Sequence, residues 1–152
     1  MILTGEEFHR IVDHAEREYP NECCGAILVK DGPPEERFFH ACRNVQDEFH
    51  RREPARYPRT ARAAFIIGKD DFEVIDEKVA RGYRPIFYHS HIDADAYFSE
   101  TDKQMARLVL YPNAIHLVIS VKQGKVVDCK AFAWDPQQDD FPSIPFEKPW
   151  PL

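Results

Sequence analysis

The first regular hydrophobic spacing in the chain lies near its N-terminus. Apolar residues recur there every three or four positions, namely Phe8, Ile11, Val12, Ala15 and Tyr19. This spacing places them on one face of a helix, so the pattern predicts an amphipathic helix over residues 4–18. Thr4 and Glu7 form a capping-box pattern at its start. His9 and His14 lie off the apolar face, and both are predicted to face solvent.

Short apolar runs without helical spacing predict the strands. The run Cys24–Val29 is continuous and is typical of a central strand that is buried on both faces. A similar run over residues 86–91 ends in polar side chains. Four further strands are predicted, over residues 37–45, 61–67, 115–121 and 126–134. The turn Lys122-Gln123-Gly124 joins the last two and predicts a hairpin.

Two more helices are predicted from spacing and start signals. The first follows Gly68, is capped by Asp70 or Asp71, and turns three apolar residues inward, namely Phe72, Ile75 and Val79. The second runs from Ser99 to about Leu110 and is predicted to bury Met105, Leu108 and Val109. This order of helices and strands predicts a single α/β domain with a mixed sheet flanked by helices.

Two segments show no clear periodicity. Residues 46–60 hold four arginines and are either a solvated loop or a cationic lip that guides an acidic protein partner. These arginines are Arg51, Arg52, Arg56 and Arg59. Residues 135–152 hold five of the twelve prolines together with Phe141, Phe146 and Trp150. Because proline interrupts regular structure while aromatic rings favour burial, we expect a domain over residues 1–134 and an extension over residues 135–152. The extension is predicted to pack on that domain or on a neighbouring copy.

Composition and charge narrow the classes of function. The chain has 152 residues and a net charge of −6, which argues against nucleic acid as the main partner. No apolar run reaches the length of a membrane span, and the first residues lack a secretory-signal pattern. The four cysteines form no Cys-x-x-Cys pair, which fits reduced thiols in a cytoplasmic protein. Cys129 shares a strand face with Val127, Ala131 and Ala133, so it is predicted to lie in the core.

The candidate chemistry lies at the end of the strand over residues 86–91. His89 and His91 are two residues apart and therefore project from the same face of that strand. Ser99 and Asp102 follow, with Asp102 in the first turn of the next helix. Two imidazoles and one carboxylate form a three-ligand set that leaves a fourth position open, as in a catalytic zinc site. Taken alone, each histidine is more typical of an ordinary hydrogen-bonded residue, and the Ser99–Asp102 pair is typical of a helix cap.

The combined pattern resembles a known family. His89-Ser90-His91 followed by Ser99 and Asp102 resembles the signature of the JAMM/MPN+ metalloproteases. That family includes isopeptidases of ubiquitin-like proteins and prokaryotic peptidases that process sulfur carriers. Its remaining essential residue is a glutamate just before the first strand, and the segment Tyr19–Leu28 resembles that region and places the glutamate at Glu22. The resemblance covers roughly residues 4–134 and fits the compact prokaryotic members.

The resemblance implies a mechanism and a class of substrate. One Zn²⁺ per chain would be held by His89, His91 and Asp102, with Glu22 as general base and Ser99 as a donor to the oxyanion. The implied reaction is hydrolysis of the bond after the C-terminal Gly-Gly of a ubiquitin-like or sulfur-carrier protein. Neither a membrane nor nucleic acid is implied as a partner, and a homodimer stays open.

Two departures and three alternatives accompany the resemblance. Ile92 and Phe98 stand where the family usually has proline, and both are expected near the substrate groove, so they concern the substrate more than catalysis. One alternative is a non-catalytic MPN scaffold, and another is an isopeptidase that acts on lysine conjugates. The third is a nucleobase deaminase, whose Pro-Cys-x-x-Cys ligand pair is absent from this chain.

Overall fold

A six-stranded mixed sheet forms the centre of the protein, in a computed structural model that describes residues 2–108 and 111–148. The strands are β1 (Cys24–Lys30), β2 (Glu36–Cys42), β3 (Arg84–Ile92), β4 (Ile115–Lys122), β5 (Lys125–Ala133) and β6 (Ser143–Ile144). Their order is β2-β1-β3-β4-β5-β6, and β3 and β4 run parallel while the other neighbours are antiparallel. This arrangement confirms the predicted α/β class with a mixed sheet.

Helices cover both faces of the sheet. They are α1 (Gly5–Glu18), α2 (Gln46–Arg52), α3 (Lys69–Ala80) and α4 (Glu100–Leu108). The predicted capping box of α1 is confirmed, because the Glu7 N–H donates to Thr4 Oγ1 at 3.1 Å and the Thr4 N–H donates to Glu7 Oε2 at 3.0 Å. Helix α1 packs on one face of the sheet, and α3 packs on the other face against β1 and β3.

The strand that carries the two histidines lies in the middle of the sheet. β3 pairs with β1 on one side and with β4 on the other, and residues 24–29 of β1 are all buried. Because both neighbours are buried strands, the backbone that carries His89 and His91 is fixed on both sides. The loop after β3 leads directly into α4, which brings the first turn of that helix over the end of the strand.

Two predictions about the segment before α3 are wrong. Residues 61–67 form turns and one isolated bridge between Asn44 and Ile67, not a strand. The side chain of Asn44 makes hydrogen bonds to the backbone of this segment, where a neighbouring strand would otherwise pair. It accepts the Ile66 N–H at 3.1 Å and donates to the Ala64 carbonyl at 3.1 Å. Part of the segment 46–60 is helical, since α2 starts at Gln46, although Phe49 is its only apolar residue and gives no helical stripe.

Two predictions about the helices are also wrong. Helix α3 has Gly68 at its N-cap with no side-chain cap, because Asp71 instead accepts hydrogen bonds from His40 and from the Arg43 N–H. No described residue of α4 is buried: Met105 is 40% exposed and Leu108 is 80% exposed, and the prediction for Val109 falls outside the described residues. The helix lies over the edge of the site and packs against a core cluster through Ala106, which is partly buried.

His14 is buried, which contradicts its predicted exposure, whereas His9 is exposed as predicted. His14 stands three residues after Ile11 and so extends the apolar face of α1. Its Nδ1 lies 2.7 Å from the hydroxyl of Tyr88, which satisfies both polar groups inside the core. A Cβ on Gly25 would lie 2.3 Å from the same hydroxyl, so this position accommodates only glycine while the Tyr88 ring stays in place.

The predicted hairpin forms between β4 and β5. Gln123 and Gly124 both have positive φ, 51° and 81°, as a two-residue type I′ turn requires. A register shift leaves Val127 unpaired between Val126 and Asp128, which face Val121 and Ser120. Cys129 and Ala131 are buried as predicted, but this bulge turns Val127 outward, where it is 50% exposed.

The described part of the C-terminal extension lies against the rest of the chain. β6 pairs with β5, Phe141 is 5% exposed, and Phe146 packs against the cluster under α1. Trp150 lies outside the described residues. In the described part of the chain no helix is long and apolar enough to cross a membrane.

Candidate metal centre

Three predicted ligands meet at the end of β3. His89 and His91 are on the same face of this strand, and Asp102 comes from the first turn of α4. Ser90, between the histidines, points to the opposite face, where its Oγ accepts the Cys23 N–H at 2.8 Å. His89 and His91 are 3% and 7% exposed, so the site is closed to solvent on the side of the sheet.

The three candidate ligand atoms form a nearly equilateral triangle. The two Nε2 atoms lie 3.3 Å apart, and Asp102 Oδ2 lies 3.2 Å from that of His89 and 3.3 Å from that of His91. A tetrahedral ion with bonds of about 2.0–2.1 Å would separate its ligands by about 3.3 Å. The triangle therefore has the dimensions of three corners of a zinc tetrahedron, and the fourth corner remains for water or substrate.

Hydrogen bonds orient these ligands. His91 Nδ1 lies 3.0 Å from the backbone carbonyl of Asp95; donation of its N–H there leaves Nε2 unprotonated for a metal. The Ser99 N–H donates to Asp102 Oδ2 at 3.0 Å, and the Asp102 N–H donates to Ser99 Oγ at 3.1 Å. This pair confirms the helix-cap interpretation of Ser99 and Asp102, and it fixes the carboxylate on the side of the histidines.

Aromatic rings hold both imidazoles. The ring of Phe65 stacks on His89 at a centroid distance of 4.5 Å, and Tyr97 meets His91 edge-on at 4.8 Å. Sequence reasoning missed both contacts. Phe65 was assigned to a strand that does not form, and Tyr97 stands in the loop between β3 and α4, where no periodicity indicates which way a side chain points.

The side chains of the triangle shift each other's pKa toward the charged forms. Burial alone would raise the pKa of Asp102, but His89 and His91 beside it hold that pKa well below its usual range. Burial alone would lower the pKa of His91, but the Asp102 carboxylate raises it above the ordinary value of 6.5. Such a carboxylate stays ionised at neutral pH, as a metal ligand must be.

Glu22 stands apart from the triangle but in the same cleft. A cleft of about 640 Å³ is lined by Glu22, His91, Ser99 and Asp102 together with residues of the segment 49–66. Glu22 is 7% exposed, and burial raises the pKa of its carboxyl from 4.5 to about 8. Its backbone is held by Ala61 and Asn44, since the Glu22 N–H donates to the Ala61 carbonyl and the Glu22 carbonyl accepts from Asn44 Nδ2.

The two departures from the family pattern have different surroundings. Ile92 lines the cleft, as expected of a residue near the substrate groove. Phe98 does not line it and is 8% exposed, packed between Phe132 and Phe141 behind the ligands. A proline at position 98 could not fill this aromatic cluster, so Phe98 belongs to the packing behind the three candidate ligands.

A second group of metal-ligating side chains consists of His40, Cys42 and Asp71. Here His40 Nε2 lies only 2.8 Å from Asp71 Oδ1, the distance of a direct hydrogen bond, and Asp71 Oδ2 is used by the Arg43 N–H. Burial raises the pKa of the Cys42 thiol to about 12, which opposes the thiolate that a metal needs. We interpret this group as a structural contact between β2 and α3.

Known proteins resemble the chain at the level of sequence and fold. It is 32% identical over 102 residues to the tail tip assembly protein K of Escherichia phage N15, an alignment that covers 67% of this chain and 35% of that protein. The chain thus spans about a third of the length of this relative.

Two solved structures share the fold. A solution structure from Desulfitobacterium hafniense aligns with a TM-score of 0.61 at 20% identity, over 93% of this chain and 87% of the other. One from Salinibacter ruber aligns with a TM-score of 0.58 at 25% identity, over 97% of this chain and 91% of the other.

The family model of the prokaryotic homologs of the JAB domain matches residues 6–135, which include the three residues of the triangle and all residues that line the cleft. This match confirms the resemblance drawn from the histidine motif. The chain belongs to the prokaryotic JAB-domain family.

Proposed function

We propose that the chain is a zinc-dependent peptidase that hydrolyses the bond after the C-terminal Gly-Gly of a ubiquitin-like or sulfur-carrier protein. The observation that carries this proposal is the triangle of His89, His91 and Asp102, whose ligand atoms are 3.2–3.3 Å apart, in one cleft with a buried carboxylate. A non-catalytic scaffold would have no need to preserve this set. None of the described cysteines belongs to the triangle, which argues against a deaminase-type ligand set.

His89, His91 and Asp102 would hold the Zn²⁺, which when bound lowers the pKa of water from about 15.7 to about 7. Glu22 would take a proton from that water and deliver it to the leaving amine. Its own environment suits a group that must hold a proton during the reaction, because burial raises its pKa to about 8. Positive charge from a bound cation would favour the ionised form before the reaction.

Ser99 would stabilise negative charge that develops on the scissile carbonyl oxygen. Its Oγ accepts the Asp102 N–H, which fixes the oxygen and leaves the hydroxyl hydrogen free to point into the cleft. A donor held in this way needs no rearrangement when charge develops. Losing one such donor typically lowers turnover by about 10²–10³.

The lining of the cleft supports an extended substrate with small side chains. Ala63, Ala64 and Ala94 line it between the bulkier groups. Glycine residues allow a peptide backbone to approach such a surface closely, because they carry no Cβ. A Gly-Gly tail therefore fits this lining, whether the bond that follows it is an α-peptide bond or a lysine isopeptide bond.

The first test is metal content followed by turnover. We expect one zinc per chain by mass spectrometry of the metal, and its loss in Asp102→Ala. Glu22→Gln should keep zinc and lower turnover by about 10²–10⁴, measured on ubiquitin-like proteins that carry a residue after Gly-Gly or a lysine conjugate. Glu18→Gln, an exposed neighbour, is the matched control and should change neither quantity. Full activity of zinc-loaded Glu22→Gln would exclude Glu22 as the base, and absence of zinc from the parent protein would favour a scaffold.

A role in phage tail-tip assembly is the second candidate. It is favoured by the identity of 32% with the tail tip assembly protein K, although this chain spans only 35% of that protein. In that role the site would cut a structural protein of the tail, or the domain would bind one without cutting it. The two candidates are separated by asking whether purified tail-tip proteins or Gly-Gly carriers are cleaved.

A further inference from the structure

Five arginines lie close together in a chain that is acidic overall. Residues 51–62 hold Arg51, Arg52, Arg56, Arg59 and Arg62 against one acid, Glu53, a net charge of +4. The whole chain carries −6, so the remaining residues carry −10. This basic segment forms part of the cleft, because Arg56, Arg59 and Arg62 line it together with His91 and Asp102.

Most of this positive charge has no acidic partner. Arg56 lies 3.8 Å from Glu53 in an exposed pair, whereas Arg51, Arg52, Arg59 and Arg62 make no ion pair within 4.0 Å in the part of the chain that the structure describes. Arg59 reaches across the cleft, and its Nη1 lies 3.5 Å from Thr101 Oγ1 on α4. Guanidinium groups that lack a carboxylate partner are available to bind one.

The backbone that presents these arginines is fixed, which distinguishes it from a solvated loop. The buried side chain of Gln46 donates to the Arg59 carbonyl at 2.9 Å, and the Ala61 N–H donates to Asp47 Oδ1 at 2.7 Å. His50 Nδ1 lies 2.7 Å from the Tyr57 carbonyl. The arginine side chains are therefore presented to the cleft at defined positions, and only their ends need to be ordered on binding.

We propose that Arg56, Arg59 and Arg62 bind acidic side chains that flank the scissile bond of the protein substrate. This inference rests on the proposed function for the existence of a scissile bond, and it adds the chemistry of the partner. A planar guanidinium matches a carboxylate by two parallel hydrogen bonds and attracts it over several ångströms. A nucleic-acid strand fits less well, because the same cleft presents the carboxylates of Glu22 and Asp102 and the chain is acidic elsewhere.

The test uses ten-residue peptides with a central Gly-Gly, flanked on each side by two Glu, two Gln or two Lys residues. Binding is measured on zinc-loaded Glu22→Gln protein, and turnover is measured on the parent protein. We expect the Glu peptide to bind about tenfold more tightly than the Gln peptide, since three partly exposed ion pairs reach that order. The preference should shrink when NaCl rises from 50 to 500 mM, because salt screens exposed charges.

The combined variant Arg56→Gln, Arg59→Gln, Arg62→Gln should lose the preference. Arg81→Gln, an exposed arginine of the α3 C-cap that does not line the cleft, is the matched control and should keep it. Equal binding of the Glu and Gln peptides by zinc-loaded Glu22→Gln protein with all three arginines in place would overturn the proposal. So would arginine-dependent binding of a 20-nucleotide single strand that exceeds binding of the Glu peptide. If the Glu peptide binds with this preference but no peptide is cut, the proposed peptidase function fails and the inference about charge stands.

Discussion

Glu22 holds a carboxylate where burial disfavours its charge. The pKa of this group is raised from 4.5 to about 8, with burial as the largest cause. The folded protein therefore binds the Glu22 proton more tightly than the unfolded chain does. The resulting stabilisation is complete below pH 4.5 and is lost as the pH rises toward 8, which is the opposite of an ordinary salt-bridged acid.

We expect Glu22→Gln to stabilise the metal-free protein at pH 8 and to leave it nearly unchanged at pH 4. The amide keeps the shape of the protonated acid without its ionisation, so the difference in free energy of unfolding should grow to a few kcal/mol across this range. The measurement is urea denaturation of both proteins in a chelator at several pH values. Asp102 has a lowered pKa and so makes the free energy of unfolding rise with pH in both proteins. Subtracting the pH profile of one protein from that of the other removes this shared contribution. A difference that does not vary with pH would mean that Glu22 is ionised in the folded protein.

At the scale of single elements, the success of the sequence predictions depended on how local their causes are. Helix α1, strand β1 and the β4–β5 hairpin were predicted because spacing, capping and turn residues lie within each segment. The two histidines of the triangle were predicted to lie together for the same reason, since i and i+2 on a strand share a face. Asp102 lies on α4, and it was added because of the combined motif and its resemblance to a known family.

The wrong predictions concern segments whose structure is decided by distant residues. Segment 61–67 contains strand-forming side chains, but the side chain of Asn44 takes its backbone hydrogen bonds. Spacing along α4 predicted burial of Met105 and Leu108, but the helix packs on the core through Ala106, which leaves Met105 40% and Leu108 80% exposed. The positive charge of the basic segment, residues 51–62, was recognised from the sequence. Its position beside the cleft depends on how residues 46–66 fold together, which the sequence of the segment alone does not determine.

The side chain of Asn44 joins three parts of the chain, namely the residue Glu22 before β1, the start of α2 and the segment 61–67. Nδ2 donates to the carbonyls of Glu22 and Ala64, and Oδ1 accepts the N–H groups of Gln46 and Ile66, all at 2.9–3.1 Å. This side chain thus holds the general-base candidate against the cleft wall. An amide is needed, since only a group that both donates and accepts can make these four contacts.

We expect Asn44→Ala to lower the free energy of unfolding by about 2–4 kcal/mol, because four partly buried hydrogen bonds are lost. Turnover should fall further than unfolding alone explains, measured at a temperature where the variant is fully folded. Asn44→Asp tests the two donor contacts separately, and Asn113→Ala, in an exposed turn, is the control. A fully active Asn44→Ala protein would mean that Glu22 is positioned without this side chain.

For the molecule as a whole, α4 lies between the C-terminal extension and the candidate metal centre and contacts both. None of the described residues of that helix is fully buried, although Ala106 packs against the aromatic cluster around Phe98. Ion pairs also join the helix to the extension. Arg107 lies 3.1 Å from Asp139, and Lys103 lies 2.9 Å from Asp140. Phe141 packs next to these pairs against Phe98, which lies behind His89. The extension therefore supports the helix that supplies Asp102.

Removing residues 139–152 should weaken both folding and metal binding. We expect the free energy of unfolding to fall by about 3–5 kcal/mol, the usual cost of losing a large buried aromatic side chain such as Phe141, and zinc affinity to fall because α4 loses its two ion pairs. Denaturation and competition with a zinc chelator measure the two effects. Phe141→Ala should reproduce most of the loss in stability, whereas Phe38→Ala, at a site that is 41% exposed, should cost far less.

Because Phe141 and Phe146 pack on their own chain, the oligomeric state should not change on truncation. A change of mass by light scattering would instead assign the extension to a neighbouring copy, and unchanged zinc affinity would show that α4 is held without it.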